Sequence, residues 1–518
     1  MTVFDPCGEA IAACPDPRAG GGRTPCPPHR CWAPARRWAA ALVVCSGIFL
    51  LGLDFTVLNV AVPDLQRDLG PSVAQVQWVV DGYALVLAGL VPATGAVTDR
   101  LGRRRAFVAG LAVCGAAAAW GASSSHAWQL VAARGGMGAG AALLMPATLS
   151  IITTLFPEPG PRRRAIALWT AAGGVGGMAG PVVGGWLVEV FSWRAGFWVA
   201  VPPAAAGIAA ALLVVPESRA AGAGRVDARS VALSATGLVA LVWAIIESPA
   251  RGWTSPPVLT AYGVAAVLLV AFTRRQARVR VPVLPLPLLR RPRIGLNAVA
   301  LAMMSFGLYG ALFLTTLHLQ GVLGHSPWEA GVRTLPLAVA LAAGAVAAPP
   351  LLARRGERMP VVAGLAVVTG SFMLLSTVDA SSGYPPVLAF QLVAGFGAGL
   401  VATAGTEAVM GAVPPDRAAL GSAINDVTRQ VGACLGVAVQ GSVLTAVSAP
   451  RLRDLPAGAT FLDAWAAAER LPEPARARVV ATAREAFVAG LTTAAVIAAA
   501  VTLTAAVLAW CFLPRAAA

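Results

Sequence analysis

Residues 95–105 read GAVTDRLGRRR. Asp99, Arg100, Arg103, Arg104 and Arg105 place five charges within seven positions, yet apolar runs flank them on both sides. The run before, 76–97, and the run after, 106–122, are each long enough to cross roughly 30 Å of hydrocarbon as a helix. A short charged turn between two such runs is a loop between membrane helices.

The rest of the chain repeats that pattern. Of 518 residues, 57% are hydrophobic and 12% charged, with a mean hydropathy of +0.72, far outside the range of soluble domains. Apolar spans fall at 38–60, 76–97, 106–122, 127–150, 164–188, 194–215, 229–247, 256–273, 295–320, 330–352, 361–378, 386–411, 418–447 and 487–513. None shows the two-residue alternation of a membrane β-barrel, so the expectation is an all-α membrane protein of fourteen spans.

The charge of +15 lies in the breaks between spans and not on one folded basic face, which excludes nucleic acid as the partner. Alternate breaks are rich in arginine: Arg103–Arg105, Arg162–Arg164, Arg219 with Arg225 and Arg229, Arg274 to Arg293, Arg354/Arg355/Arg358, and Arg417. The positive-inside rule places these, and both termini, in the cytoplasm. The stretch 448–486 mixes both signs and is expected as an extracellular loop.

Residues 1–36, broken by Pro and Gly, lack the apolar core of a secretory signal and read as a disordered cytoplasmic tail. That tail holds Cys7, Cys14, Cys26, Cys31 and His29, at spacings that match no paired metal-ligand pattern. No metal and no cofactor are expected. Cys45, Cys114, Cys434 and Cys511 lie inside apolar spans, where Cys behaves as a small hydrophobe.

A weak internal repeat organises the spans. ARRGERM at 353–359 follows the tenth span as DRLGRRR at 99–105 follows the second, keeping the Gly but replacing Asp99 by Ala353. Two six-helix bundles, 37–215 and 291–518, with an inserted helix pair at 216–290, place these loops at equivalent positions, the usual build of secondary transporters.

Five motifs then carry a resemblance. GAVTDRLGRRR is similar to the loop signature of the major facilitator superfamily. LDFTVLNVAVPDLQRDL (53–69), LVAARGGMGAGAALLMP (130–146), GGVGGMAGPVVGGWL (173–187) and GSAINDVTRQVGACLGVAV (421–439) resemble motifs of its fourteen-helix drug:proton antiporter family. The resemblance implies a proton-coupled exporter of amphipathic small molecules in the plasma membrane, acting as a monomer by alternating access. It implies that Gly95, Asp99, Arg100, Gly102, Arg103 and Arg104 form a conformational switch that closes the cytoplasmic side, and that Gly176, Gly180, Pro181, Gly184 and Gly185 form the glycine motif of exporters.

The residues suggest the chemistry independently. Asp54 lies roughly 10 Å and Arg134 roughly 12 Å from the outer ends of their spans, at similar depth. Intramembrane charges persist when they face a cavity or one another. Burial and a neighbouring Arg act oppositely on a carboxyl's hold on its proton, so small changes in hydration load or unload it. Asp54 is therefore the expected proton-coupling group and Arg134 its modulator, with a static ion pair as the alternative. Gly176, Gly180 and Gly184, four apart, share one helix face and permit close helix approach.

In the second half, Asp426 and Arg429 at i, i+3 share a face. Glu407, Asn425, Asp426 and Gln430 are candidates for substrate or a second proton, Asp54 is a further substrate-binding candidate, and Arg429 is a candidate cytoplasmic gate. Asp81 and Glu247, near outer ends, are expected to be solvated, and His318 to be structural. Trp78, Trp128, Trp193, Trp253 and Trp328 cluster at outer ends as interfacial anchors.

The chain contains no lysine, so no Gly-x-x-x-x-Gly-Lys phosphate loop exists and energy must come from an ion gradient. No Cys/His or Ser/His constellation suggests an enzyme. Uptake symport and a non-transporting sensor are the alternatives to export, and the glycine motif disfavours uptake.

Overall fold

The computed structural model describes residues 34–70, 72–219, 227–279, 282, 286–413, 418–453, 461–468 and 471–514. Among them the fold is helical throughout. The first half comprises α1 (Pro34–Val57), α2 (Val62–Leu69), α3 (Val73–Leu101), α4 (Arg103–Ala122), α5 (Ala127–Leu155), α6 (Pro159–Val190), α7 (Ala195–Trp198) and α8 (Val201–Val214). The inserted pair is α9 (Ala228–Arg251) and α10 (Pro256–Gln276). The second half comprises α11 (Leu286–Leu289), α12 (Pro292–Leu317), which runs on as a π-helical turn His318–Val322, α13 (Pro327–Arg333), α14 (Leu335–Arg355), α15 (Arg358–Leu375), α16 (Tyr384–Ala412), α17 (Ala418–Leu452), α18 (Phe461–Ala468) and α19 (Ala475–Phe512).

Among the described residues, fourteen helical segments are long and apolar enough to span a membrane, as the sequence predicts. Hence the described arginines of the alternate breaks lie at one end of the bundle. Local chemistry sets the breaks. Ser72 caps α3 by accepting from the Gln75 main-chain N–H at 3.2 Å, while the Gln75 side chain accepts from the Ser72 N–H at 2.9 Å. Gly70 closes α2 in the left-handed region with φ 58°.

The stretch 448–486, expected as a loop, is instead largely helical, because α17 runs to Leu452 and α19 begins at Ala475. Val479, Ala483 and Phe487 at four-residue spacing are buried, whereas Arg476, Arg478 and Glu485 are exposed. One apolar face is sufficient to extend the helix beyond the purely apolar run. Likewise α1 begins at Pro34, inside the stretch read as tail; residues 1–33, with Cys7, Cys14, Cys26, Cys31 and His29, lie outside the described residues. So does Arg417.

Two cores separate the halves. One is built from α1 to α8, around Phe107, Leu130, Ala141 and Phe197. The other is built from α12 to α19, around Phe313, Phe372, Phe390 and Phe487, and admits Val62, Val73 and Val76 from the first half. The inserted pair lies against the seam: α9 packs on α3 and α17, with Ala84, Leu85, Val242, Ile246, Cys434 and Ala438 in one buried cluster. The Ser442 hydroxyl of α17 donates to the Ile245 carbonyl of α9 at 2.8 Å. At the arginine-rich end, Arg275 donates two hydrogen bonds, 2.7 and 2.8 Å, to Asp227 and so ties α10 back to the start of α9. Those bonds hold the Asp227 carboxyl down at about 2.

Candidate functional site

Asp54 lies one turn from the end of α1, nearer the helix terminus than the sequence suggests, yet it is 0% exposed, on a helix packed against α5, α6 and α8. Neither of its carboxylate oxygens has a hydrogen-bond partner. Arg134 of α5 is 1% exposed and reaches the same residue differently. Its Nη1 donates to the main-chain carbonyl of Asp54 at 3.1 Å and its Nε to that of Val79 at 3.0 Å, with the guanidinium 4.5 Å from the Tyr83 ring centre. Asp54 and Arg134 therefore sit at one height, but the guanidinium is anchored on backbone and ring, not on the carboxylate. Phe55 meets Tyr83 of its own half at 5.8 Å and Tyr309 of the second half at 5.0 Å, both edge-on.

At the arginine-rich end, Gly102 separates α3 from α4 with φ 102°, a region open only to glycine. Asp99 pairs with Arg103 one turn on, Nε to Oδ1 at 3.8 Å. Arg103 also donates to the Ser150 carbonyl at 3.4 Å and to the Thr154 hydroxyl of α5. Arg104 and Arg105 approach Glu217 at 3.9 and 3.7 Å, and the Arg104 main-chain N–H donates to the same carboxylate at 3.3 Å. Arg100 is exposed. A side chain at Gly95 would meet nothing within 4 Å, so that glycine serves no close helix approach in this conformation. Glu217 was missed by the sequence reading, although it stands two residues from Arg219, in PESR at 216–219.

The glycine motif has two faces. Gly176, Gly180 and Gly184 lie on α1, where a Cβ would overlap the Phe49 carbonyl, the Thr56 hydroxyl and the Val57 carbonyl respectively. Pro181 and Gly185 instead meet α13 of the second half: a Cβ at Gly185 would overlap the Pro327 carbonyl, and one at Gly331 the Pro181 carbonyl. This contact lies at the end opposite the arginine-rich loops. Two glutamines join the halves at that same end. Gln77 of α3 donates to the Val437 and Ala438 carbonyls at 3.3 and 3.2 Å, and Gln320 donates to the Val60 carbonyl at 3.0 Å.

The second-half candidates form a separate group on α16 and α17. Asn425 accepts from the Thr406 hydroxyl at 3.0 Å, and the buried Gln430 Oε1 has no partner. Asp426 and Arg429 are half-buried, and Glu407 is exposed.

Three further expectations change. Asp81 is not solvated: it is 1% exposed, with one carboxylate oxygen unpartnered, because α3 is covered by α9 and α17 at that height. Glu247 is held by Arg251 at 2.7 Å. Trp193 is buried and donates to Asp68 at 2.8 Å, so it locks α2 and does not anchor the surface. That bond, together with one from Arg194 at 2.6 Å, holds the Asp68 carboxyl below its usual range. Trp128, Trp253 and Trp328 are exposed, as anchors would be. His318 is buried and stacks on Phe487 at 6.1 Å. Cys45, Cys114 and Cys434 are buried free thiols, and Cys511 is exposed.

This architecture has known relatives. The description of the Major Facilitator Superfamily matches residues 44–437. The chain belongs to that superfamily. Within it, the multidrug efflux pump LfrA of Mycolicibacterium smegmatis is 35% identical over 91% of this chain and 95% of its own length. The tetracenomycin C resistance and export protein of Streptomyces glaucescens is 34% identical over 84% of this chain and 79% of its own. Among solved structures, a bacterial homolog of the human lysosomal transporter Spinster, in an inward-facing and occupied conformation, aligns over 92% of this chain and 97% of its own with a TM-score of 0.66. At 19% identity that likeness is one of superfamily fold alone. A multi-pass transporter of the plasma membrane is thus established, and its relatives in sequence are drug efflux pumps.

Proposed function

We propose that this superfamily member is a proton-driven antiporter that exports amphipathic, cationic or antibiotic-like small molecules, its arginine-rich loops facing the cytoplasm. The observation that carries the coupling is Asp54: a wholly buried carboxyl with no hydrogen-bond partner among the described residues, beside an arginine whose Nε and Nη1 donate to main-chain carbonyls. Burial and the neighbouring guanidinium act oppositely on its hold on a proton, so wetting and drying of the site load and unload one. A proton entering from outside neutralises Asp54 and favours the inward-open state. Substrate arriving from the cytoplasm, held by the α16–α17 group that includes Asn425, Asp426, Gln430 and Glu407, favours proton loss and return. Asp81 of α3, the other buried carboxyl among the described residues, is a second proton site at the seam between the halves. The switch loop at 99–105 closes the cytoplasmic side in the opposite state, and the protein works as a monomer in the bilayer.

The test is ethidium efflux from energised cells, with and without a proton uncoupler. Expression should lower intracellular dye, and uncoupling should abolish that effect. Asp54→Asn should abolish uphill export while membrane abundance stays unchanged. A variant that still lowers dye against its gradient removes Asp54 as the coupling group. Dye levels unaffected by expression across a panel of cationic and antibiotic compounds remove the export reading.

A further inference from the structure

The glycine motif of α6 ends one turn before Glu189, and that residue reaches across the molecule. Its carboxylate accepts from the Ser326 hydroxyl at 2.6 Å and from the Trp328 main-chain N–H at 3.1 Å. Both donors belong to the second half. They come within reach because Gly185 and Pro327, and Gly331 and Pro181, stand at backbone contact. The receiving segment is itself stiff: the Ser326 hydroxyl accepts from the Glu329 N–H at 3.2 Å, and the Glu329 carboxylate accepts from the Ser326 N–H at 3.2 Å. Glu189 is therefore aimed at a preformed pair of donors.

We infer that Glu189 is a positioning residue for transport, holding the non-arginine ends of the two halves together in the conformation described here and releasing them when that end opens. The inference rests on the alternating-access reading above. Hydrogen bonds to a carboxylate are stronger than neutral ones, but an exposed carboxylate regains water when they break. The latch therefore biases the equilibrium without freezing it. Its removal depopulates the conformation open toward the arginine-rich end, and the apparent affinity for substrate arriving there falls by the same fraction.

The experiment uses Val60→Cys in a cysteine-free background as a reporter. Val60 is 0% exposed at this end, and its carbonyl accepts from Gln320. A membrane-impermeant maleimide is added to intact cells. Adding Glu189→Ala should speed labelling about tenfold, the effect of weakening the closed state by one or two charge-assisted bonds. Glu189→Gln, which keeps an acceptor oxygen, should give a smaller change. The apparent KM for ethidium should rise with the labelling rate, while kcat changes little. Ser326→Ala should reproduce part of the effect and add little to Glu189→Ala. A loss of packing alone would reduce membrane abundance without raising the labelling rate of the protein that remains. If Glu189→Ala does not reach the membrane, Ser326→Ala decides. Labelling at the parental rate in the variants that do reach it overturns the latch. Labelling needs no transport, so a parent that fails to export ethidium refutes the export reading and leaves the latch result standing.

Discussion

The two loops built on one sequence pattern are anchored differently. In the first half, DRLGRRR places Arg104 and Arg105 against Glu217, just beyond α8, the last helix of that half. In the second, ARRGERM places Arg358 over the ring of Trp510, near the end of α19, the last helix of its half, at 4.3 Å. Both loops turn at a glycine with positive φ, Gly102 at 102° and Gly356 at 67°. Four residues after Asp99 stands Arg103, its partner at 3.8 Å; four residues after Ala353 stands Glu357, which pairs with Arg293 of α12 at 2.8 Å. The architecture is the same, each loop docking on the final helix of its half, but one dock is ionic and the other a cation resting on an aromatic face. Only the ionic one holds an acid whose partner lies within its own loop.

The largest expected effect comes from breaking that difference at its source. Asp99→Asn should lower the export rate by an order of magnitude or more with the ranking of substrates unchanged, whereas Ala353→Asp should leave the rate near that of the parent. An altered ranking with normal turnover would make the first loop a substrate site. Next come the glycines. Each replacement by alanine forces a residue with a Cβ into a glycine region, costing about 1–3 kcal/mol. Gly102→Ala should also press on Glu217, because its Cβ would stand 2.5 Å from Glu217 Oε1, so its melting shift should be smaller in a Glu217→Ala background. Equal shifts in both backgrounds would show that Glu217 simply moves aside. The smallest effects belong to the docks themselves. Glu217→Gln and Trp510→Leu should each cost about 1 kcal/mol, but only the first loss should shrink as salt is raised. The same salt dependence in both would erase the distinction between them.

Most of the fold was legible because a span must be apolar along its whole length, and fourteen such runs separated by arginine-bearing breaks leave few alternatives. What the apolar count missed was amphipathic. Residues 475–486 carry three arginines and a glutamate, and are helical because Val479 and Ala483 share a buried face. The candidate site was legible residue by residue but not pair by pair. Asp54 and Arg134 were evident as charges in apolar spans, yet nothing in sequence tells whether a guanidinium meets a carboxylate or a carbonyl. Asp81 was misread because depth was judged from its own helix, and the cover comes from α9 and α17, elements remote in the sequence. Glu189, Glu217, Gln77 and Gln440 were missed for a related reason: a single acid or amide carries no signal until its partner in another element is known. Gln440, for instance, lies within the thirteenth span and binds the Phe306 carbonyl at 2.8 Å.

The inserted pair has a consequence for how the molecule looks to its neighbours in the bilayer. Two halves alone would present similar flanks on either side of the line where they meet. With α9 laid along α3 and α17, and α10 behind it, one flank becomes a two-helix-thick wall, its outer surface made of Leu259, Val264, Val267 and Val270. The transporter thus has a front and a back within the plane of the membrane, and any lipid or protein beside it can tell which one it has met.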